Sequence, residues 1–137
     1  MDRNTTSRAL IGLLALSILL AISVITEVGI ETRDLSVFPS WQASLFMYGG
    51  PIMVIISLVA IGTVVRWTNI GAPLAIVSAI LSILFSAVGI ALLGAPEAPL
   101  GVTVVDGIHM IVAAGIIYLA AMMWRKPAKA PSSPASA

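Results

Sequence analysis

Two ionisable residues, Asp106 and His109, lie three positions apart near the start of the last long apolar segment of the chain. This spacing puts both side chains on one face of a helix, where a carboxylate can fix the tautomer of an imidazole. Glu27 lies near the end of the first long apolar segment. If the first and last segments form neighbouring helices, Glu27, Asp106 and His109 make one candidate polar cluster.

Two interpretations of this cluster remain open. Histidine titrates near neutral pH, so the cluster can be a site that takes up protons or binds an ion. It can also be a clasp of hydrogen bonds that fixes the register of the helices, and we favour this interpretation. One histidine and two carboxylates on two helices provide few ligands for a metal ion, so we expect no metal site.

The sequence lacks the motifs of several other chemistries. One histidine cannot supply both axial ligands of a haem, and cysteine is absent, which excludes disulfides and thiolate metal sites. The chain has no glycine-rich phosphate loop and no Gly-x-Ser-x-Gly nucleophile pattern. Its net charge of +1 gives no reason to expect a nucleic-acid partner. We therefore expect no cofactor and favour a role other than catalysis.

Four long apolar segments must position these residues, and they cover residues 9–30, 43–65, 70–93 and 102–124. Each is long enough to cross a hydrocarbon layer of about 30 Å as a helix. Hydrophobic residues make up 59% of the chain and charged residues 9%, far from the composition of soluble proteins. The sequence therefore predicts an all-α membrane protein, in which residues 1–126 form an antiparallel up-down-up-down bundle of four transmembrane helices surrounded by lipid.

The connections and the tail complete this organisation. Residues 66–69 are a tight turn, and residues 95–100 are a short connection with two prolines, so each joins antiparallel neighbours. Within the second segment, Gly49, Gly50 and Pro51 predict a kink, because proline removes a helical hydrogen bond. Residues 127–137 are mostly Pro, Ala and Ser, which predicts a disordered tail.

The distribution of cations predicts the orientation. Lys and Arg are retained on the cytoplasmic side, and a four-span chain has only Arg33 on one side and six cations on the other: Arg3, Arg8, Arg66, Arg125, Lys126 and Lys129. We therefore predict a multi-pass protein of the cell membrane with both termini, and the tail, in the cytoplasm. Three indoles lie where the apolar segments end and are interpreted as anchors in the headgroup layer, namely Trp41, Trp67 and Trp124.

The first segment also has features of a signal peptide. Residues 10–20 could form its hydrophobic region, and the small residues Ala21 and Ser23 a cleavage site. The apolar run continues past Ser23 to the length of a full span, which favours a retained helix.

The third segment has a face of small residues. Ser78, Ser82 and Ser86 recur every four positions, and Gly89 follows close to the same face. Small residues let helix backbones approach closely in lipid, so we predict that this face packs against another helix. The sequence leaves open whether that helix belongs to this chain or to another protein.

Four spans with an acidic residue in the first helix resemble the small multidrug resistance transporters, and residues 26–29 (Thr-Glu-Val-Gly) carry the similarity. In that family the essential glutamate lies in the middle of the membrane, where substrate and protons compete for it. Glu27 is instead followed almost at once by three charged residues, Glu31, Arg33 and Asp34, which places it near the surface. We assign the chain to no family on this basis.

Two functions follow as expectations. The first is a non-catalytic accessory or scaffold subunit that packs against other membrane proteins of a respiratory or transport assembly, or against itself. Its basis is the packing face of the third segment and the very small polar connections. The alternative is a small proton- or ion-coupled transporter that works as an oligomer and uses Glu27, Asp106 and His109. An enzyme acting on lipid or quinone would need a pocket that sequence does not show.

Overall fold

Four long helices build the protein. The computed structural model describes residues 3–25, 33–94 and 97–125, and this part of the chain is helical without any strand. The first long helix is α1 (Arg3–Ile25). The second runs over Ser40–Val64 and includes the two shorter α-helical segments α2 and α3, whose bounds are given below. The third and fourth are α4 (Thr68–Gly89) and α5 (Leu100–Arg125). Each is long and apolar enough to cross a membrane. The prediction of an all-helical chain with four such helices is confirmed.

The second long helix contains a wide turn. It consists of α2 (Ser40–Ser44), a π-helical turn (Leu45–Gly49) and α3 (Gly50–Val64), and a short 3-10 turn (Leu35–Val37) precedes it. The backbone N–H of Gly50 donates to the carbonyl of Leu45, five residues back. The helix thus reaches Pro51 through a π-helical turn, which is a recognised cause of helix kinks.

Consecutive long helices run in opposite directions, and two contacts define the ends of the bundle. At one end, the Arg3 guanidinium donates to the hydroxyl of Thr68, so that the start of α1 lies beside the start of α4. At the other end, the Arg33 guanidinium donates to the carbonyl of Gly89 over 2.9 Å. We call these the Arg3 end and the Arg33 end.

The helices close a ring in chain order. Helix α1 packs against α3 and α5, and α4 packs against the same two helices. The apolar part of the core lies toward the Arg3 end and contains many alanines, which keep the helices close: Leu10, Leu14, Ala60, Val64, Ala72, Ala75, Ala79, Val112, Ala113, Ile116, Ala120 and Met123. Toward the Arg33 end, polar side chains share the core with buried apolar ones such as Phe85, Val88 and Val102.

The backbones of α3 and α4 approach each other closely at Gly71. A Cβ atom added to Gly71 would lie 2.5 Å from the backbone nitrogen of Val64 and 2.6 Å from its Cα. The connection between the two helices is short, and the N–H of Trp67 donates to the carbonyl of Thr63 over 2.7 Å. Only glycine fits at position 71 while the helices keep this separation.

Helix α4 ends earlier than the sequence predicts. The apolar run continues to Leu93, but the helix ends at Gly89, so the predicted segment 70–93 is four residues too long at this end. Ala91 adopts a left-handed conformation with φ of 63°, and the N–H of Leu92 donates to the carbonyl of Ala87 over 3.0 Å. The left-handed residue and this hydrogen bond end the helix although the apolar run continues. The hydropathy of the sequence therefore did not indicate where the helix ends.

Candidate functional site

Polar side chains from all four long helices meet in the part of the core toward the Arg33 end. All are buried, with at most 1% of their surface exposed. We call them the core polar network: Ser17 on α1, Ser57 on α3, Ser78, Ser82 and Ser86 on α4, and Asp106 and His109 on α5. Buried polar groups need hydrogen-bond partners within the protein, and each of these side chains has at least one.

His109 lies at the centre of this network. Its Nε2 atom is 2.7 Å from the hydroxyl of Ser17, and its Nδ1 atom is 3.3 Å from the hydroxyl of Ser86. A hydroxyl can donate or accept, so each ring nitrogen has a serine hydroxyl as its partner. The imidazole thereby joins α5 to α1 and to α4.

Asp106 lies one helical turn from His109, toward the Arg33 end. The hydroxyl of Ser86 donates to its Oδ1 atom over 3.2 Å, so one serine contacts both the carboxylate and the imidazole. The carboxylate also packs on Gly89, where an added Cβ would lie 1.8 Å from Oδ2. Because the carbonyl of Gly89 accepts from Arg33, the guanidinium of Arg33 and the carboxyl group of Asp106 both contact this glycine.

Aromatic packing holds Arg33 over this end of the bundle. Its guanidinium carbon lies 4.9 Å from the ring centroid of Phe38, within the range of a cation–π contact. Phe38 packs edge-on against Phe46, which packs edge-on against the buried Phe85 of α4. The segment that precedes the second long helix is thus fixed on the core, and Arg33 with it.

The serines of α4 extend the network to α1 and α3. The hydroxyl of Ser82 is 3.4 Å from that of Ser17 and can instead donate to the Sδ atom of Met53 or to the carbonyl of Ser78, both at 2.9 Å. The hydroxyls of Ser78 and Ser57 form a short hydrogen bond. The small-residue face of α4 therefore contacts three other helices of the same chain.

The network occupies one part of the core only. On the side of the Arg3 end, a layer of apolar side chains follows it, including Leu14, Ala75 and Ile116. The described residues thus form no chain of polar groups from one end of the bundle to the other.

The structure places the residues selected from the sequence as follows. Asp106 and His109 come together in the core, and Ser78, Ser82, Ser86 and Gly89 all face it. Glu27 lies outside the described residues, so its place in the predicted cluster stays a prediction. The tryptophans lie near helix ends with more than half of their surface exposed: Trp41, Trp67 and Trp124.

Sequence reasoning missed several members of the site. Ser17 and Ser57 were not selected because isolated serines in apolar helices give no sign of the face they occupy. Gln42, a buried polar residue outside this network, was also missed. Its amide nitrogen donates to the carbonyl of Leu93 over 2.9 Å, and its Oε1 atom has no partner among the described residues.

Comparisons of the chain with protein-family models, with curated proteins and with solved structures find no match. Within residues 3–25, 33–94 and 97–125, no group of three or more His, Asp or Glu side chains could hold a metal ion.

The bond between Ser17 and His109 leads to a first prediction. Ser17→Ala is expected to lower the free energy of unfolding by about 1 kcal/mol, because it leaves the Nε2 atom of His109 without its hydroxyl. Ser23→Ala is the matched control, since among the described residues the hydroxyl of Ser23 bonds to its own helix alone, at the carbonyl of Leu20. Unfolding by SDS in mixed micelles measures both variants, and equal losses would contradict the role given to Ser17.

Proposed function

We propose that this protein is a multi-pass membrane protein whose four long helices cross the bilayer with both termini in the cytoplasm. Two features support this proposal. The long helices present apolar side chains outward, and helix α4, of 22 residues, is about 33 Å long, close to the thickness of a hydrocarbon layer. The Arg3 end carries Arg3, Arg8, Arg66 and Arg125, whereas the carboxylates of the described residues lie toward the other end.

Within the membrane, the protein acts as a non-catalytic accessory or scaffold subunit. One observation carries this proposal: both ring nitrogens of His109 bond to serines of other helices. In lipid the hydrophobic effect does not drive helices together, so hydrogen bonds of this kind help to fix their register. The ionisable residues then serve to make one rigid bundle.

The second long helix offers the surface for a partner. It is the least buried of the four: 22% of its most apolar 18-residue stretch is buried, against 50% for the corresponding stretch of α4. Ile52, Ile55, Leu58 and Val59 are all about half exposed along α3. A rigid bundle with one helix largely uncovered suits a subunit that lies against another membrane protein or a second copy of itself.

Gentle extraction tests the accessory role. The full chain, tagged and expressed in its native membrane, is expected to migrate in mild detergent as part of a larger assembly of fixed composition. Leu58→Trp should release the protein from that assembly because it adds bulk to the exposed face of α3. Leu19→Trp on the exposed face of α1 is the matched control. A monodisperse monomer that carries an activity of its own would reject the accessory role.

Proton- or ion-coupled transport is the second candidate, and the chain Asp106–Ser86–His109–Ser17 favours it. These side chains link a carboxylate to an imidazole through hydroxyls within hydrogen-bond distance. A proton that enters near Arg33 could reach His109 along this chain. Passage to the opposite side would require the helices to open the apolar layer.

Flux in vesicles separates the two candidates. Transport predicts pH-dependent flux that is lost in His109→Ala and in Glu27→Gln, whereas a scaffold predicts no flux in the parent protein. Arg125→Gln, at the opposite end, serves as a control for changes in surface charge. Flux that persists unchanged in the first two variants would reject these residues as the coupling site.

A further inference from the structure

A cleft of about 250 Å³ opens at the Arg3 end between the start of α1, the start of α4 and the ends of α3 and α5. It is lined by Arg3, Asn4, Ser7, Val64, Val65, Thr68 and Met123. Hydrogen-bonding side chains from α1 and the start of α4 line one part of the cleft, and apolar side chains from the ends of α3 and α5 line another. The core polar network at the opposite end does not use this cleft.

The cleft has the chemistry of an anion site. A guanidinium carries five N–H donors in a planar fork that matches phosphate oxygens, and Thr68 accepts from one nitrogen of Arg3. Asn4 and Ser7 add further donors on the same wall. Among the described residues the Arg3 end carries arginines and no carboxylate, and Asp2 lies outside the described residues. The local field therefore favours an anion in the cleft.

Its apolar wall selects the kind of anion. Val65 is 68% exposed and offers surface to hydrocarbon, beside Val64 and Met123, which line the cleft but are buried. A free inorganic anion does not need such a surface, and a lipid can cover it. Basic pockets between helices on the cytoplasmic side are suited to acidic headgroups. We propose that this cleft binds the phosphate of an anionic phospholipid, with Arg3 as its main ligand. The inference rests on the membrane setting proposed above and is independent of the accessory role.

Lipid binding to the purified full chain tests this site. Native mass spectrometry in mild detergent should show a phosphatidylglycerol molecule bound more tightly than phosphatidylcholine. Arg3→Gln is expected to weaken that binding about tenfold, because one charge-assisted contact is lost. Ser7→Leu should weaken it as well without any change in charge, because the new side chain fills the cleft.

The control is Arg8→Gln, which removes the same charge from an exposed position of α1 that does not line the cleft. It should bind phosphatidylglycerol as the parent protein does. Equal losses in Arg3→Gln and Arg8→Gln would overturn the site and leave the membrane setting intact. Inorganic phosphate that binds as tightly as the lipid would overturn the lipid assignment. Failure of the chain to enter membranes at all would overturn both proposals.

Discussion

Gly71→Ala is expected to destabilise the folded bundle by about 3 kcal/mol. The added Cβ would lie 2.5 Å from the backbone nitrogen of Val64 and 2.8 Å from the backbone carbonyl carbon of Thr63. These atoms belong to helix backbone and cannot turn aside as a side chain can. The helices α3 and α4 must therefore separate, and the contacts that they share weaken along their length.

The matched control for this prediction is Gly62→Ala. Gly62 lies in α3 only two residues before Val64, yet nothing lies within 4 Å of an added Cβ there. This variant should be neutral or slightly more stable, because alanine favours a helix over glycine. SDS-induced unfolding in mixed micelles, followed by tryptophan fluorescence, measures both changes. A Gly71→Ala protein as stable as Gly62→Ala would show that the helices are farther apart than described.

His109→Ala is the second substitution with a large expected effect, a loss of roughly 2–4 kcal/mol in the free energy of unfolding. It removes a ring that is fully buried and leaves a cavity in its place. It also leaves the hydroxyls of Ser17 and Ser86 without their shared partner. Those hydroxyls can turn to carbonyls of their own helices, which limits the loss.

Two further variants test whether the loss of stability is specific to the imidazole of His109. Ile108→Ala truncates the neighbouring side chain, which is 46% exposed, and should change stability by less than about 0.5 kcal/mol. His109→Gln keeps one amide that can reach a serine hydroxyl and should recover part of the stability lost in His109→Ala. The same unfolding assay applies to all three proteins. If His109→Ala and Ile108→Ala proved equally mild, the network would not hold the bundle together.

The sequence was sufficient to predict the four long helices and the shared face of Asp106 and His109. Hydropathy over a span-length window identifies a helix of this kind, and spacing of three residues sets a common face regardless of the neighbours. The serine repeat of α4 also pointed to a packing surface, since its period matches one side of a helix. These features depend on local rules that operate within a single segment.

The rest of the site depended on contacts between segments. Ser17 lies in the buried stripe of α1 with Leu10, Leu14 and Ala21, but a helix that is apolar on every side gives no sign of which stripe is buried. The contact between Arg33 and Gly89 joins residues 56 positions apart, and no local pattern encodes it. The early end of α4 follows from the left-handed Ala91, a residue that does not usually mark a helix end.

The membrane setting and its orientation can be tested by single cysteines, because the chain contains no natural cysteine. Asn4→Cys lies at the Arg3 end and Ser36→Cys at the Arg33 end, and both positions are exposed. In intact cells, a maleimide that cannot cross membranes should label Ser36→Cys at once and Asn4→Cys only after permeabilisation. Labelling of both sites in intact cells, or recovery of the folded protein in the aqueous fraction without detergent, would contradict a four-span bundle with its amino terminus in the cytoplasm.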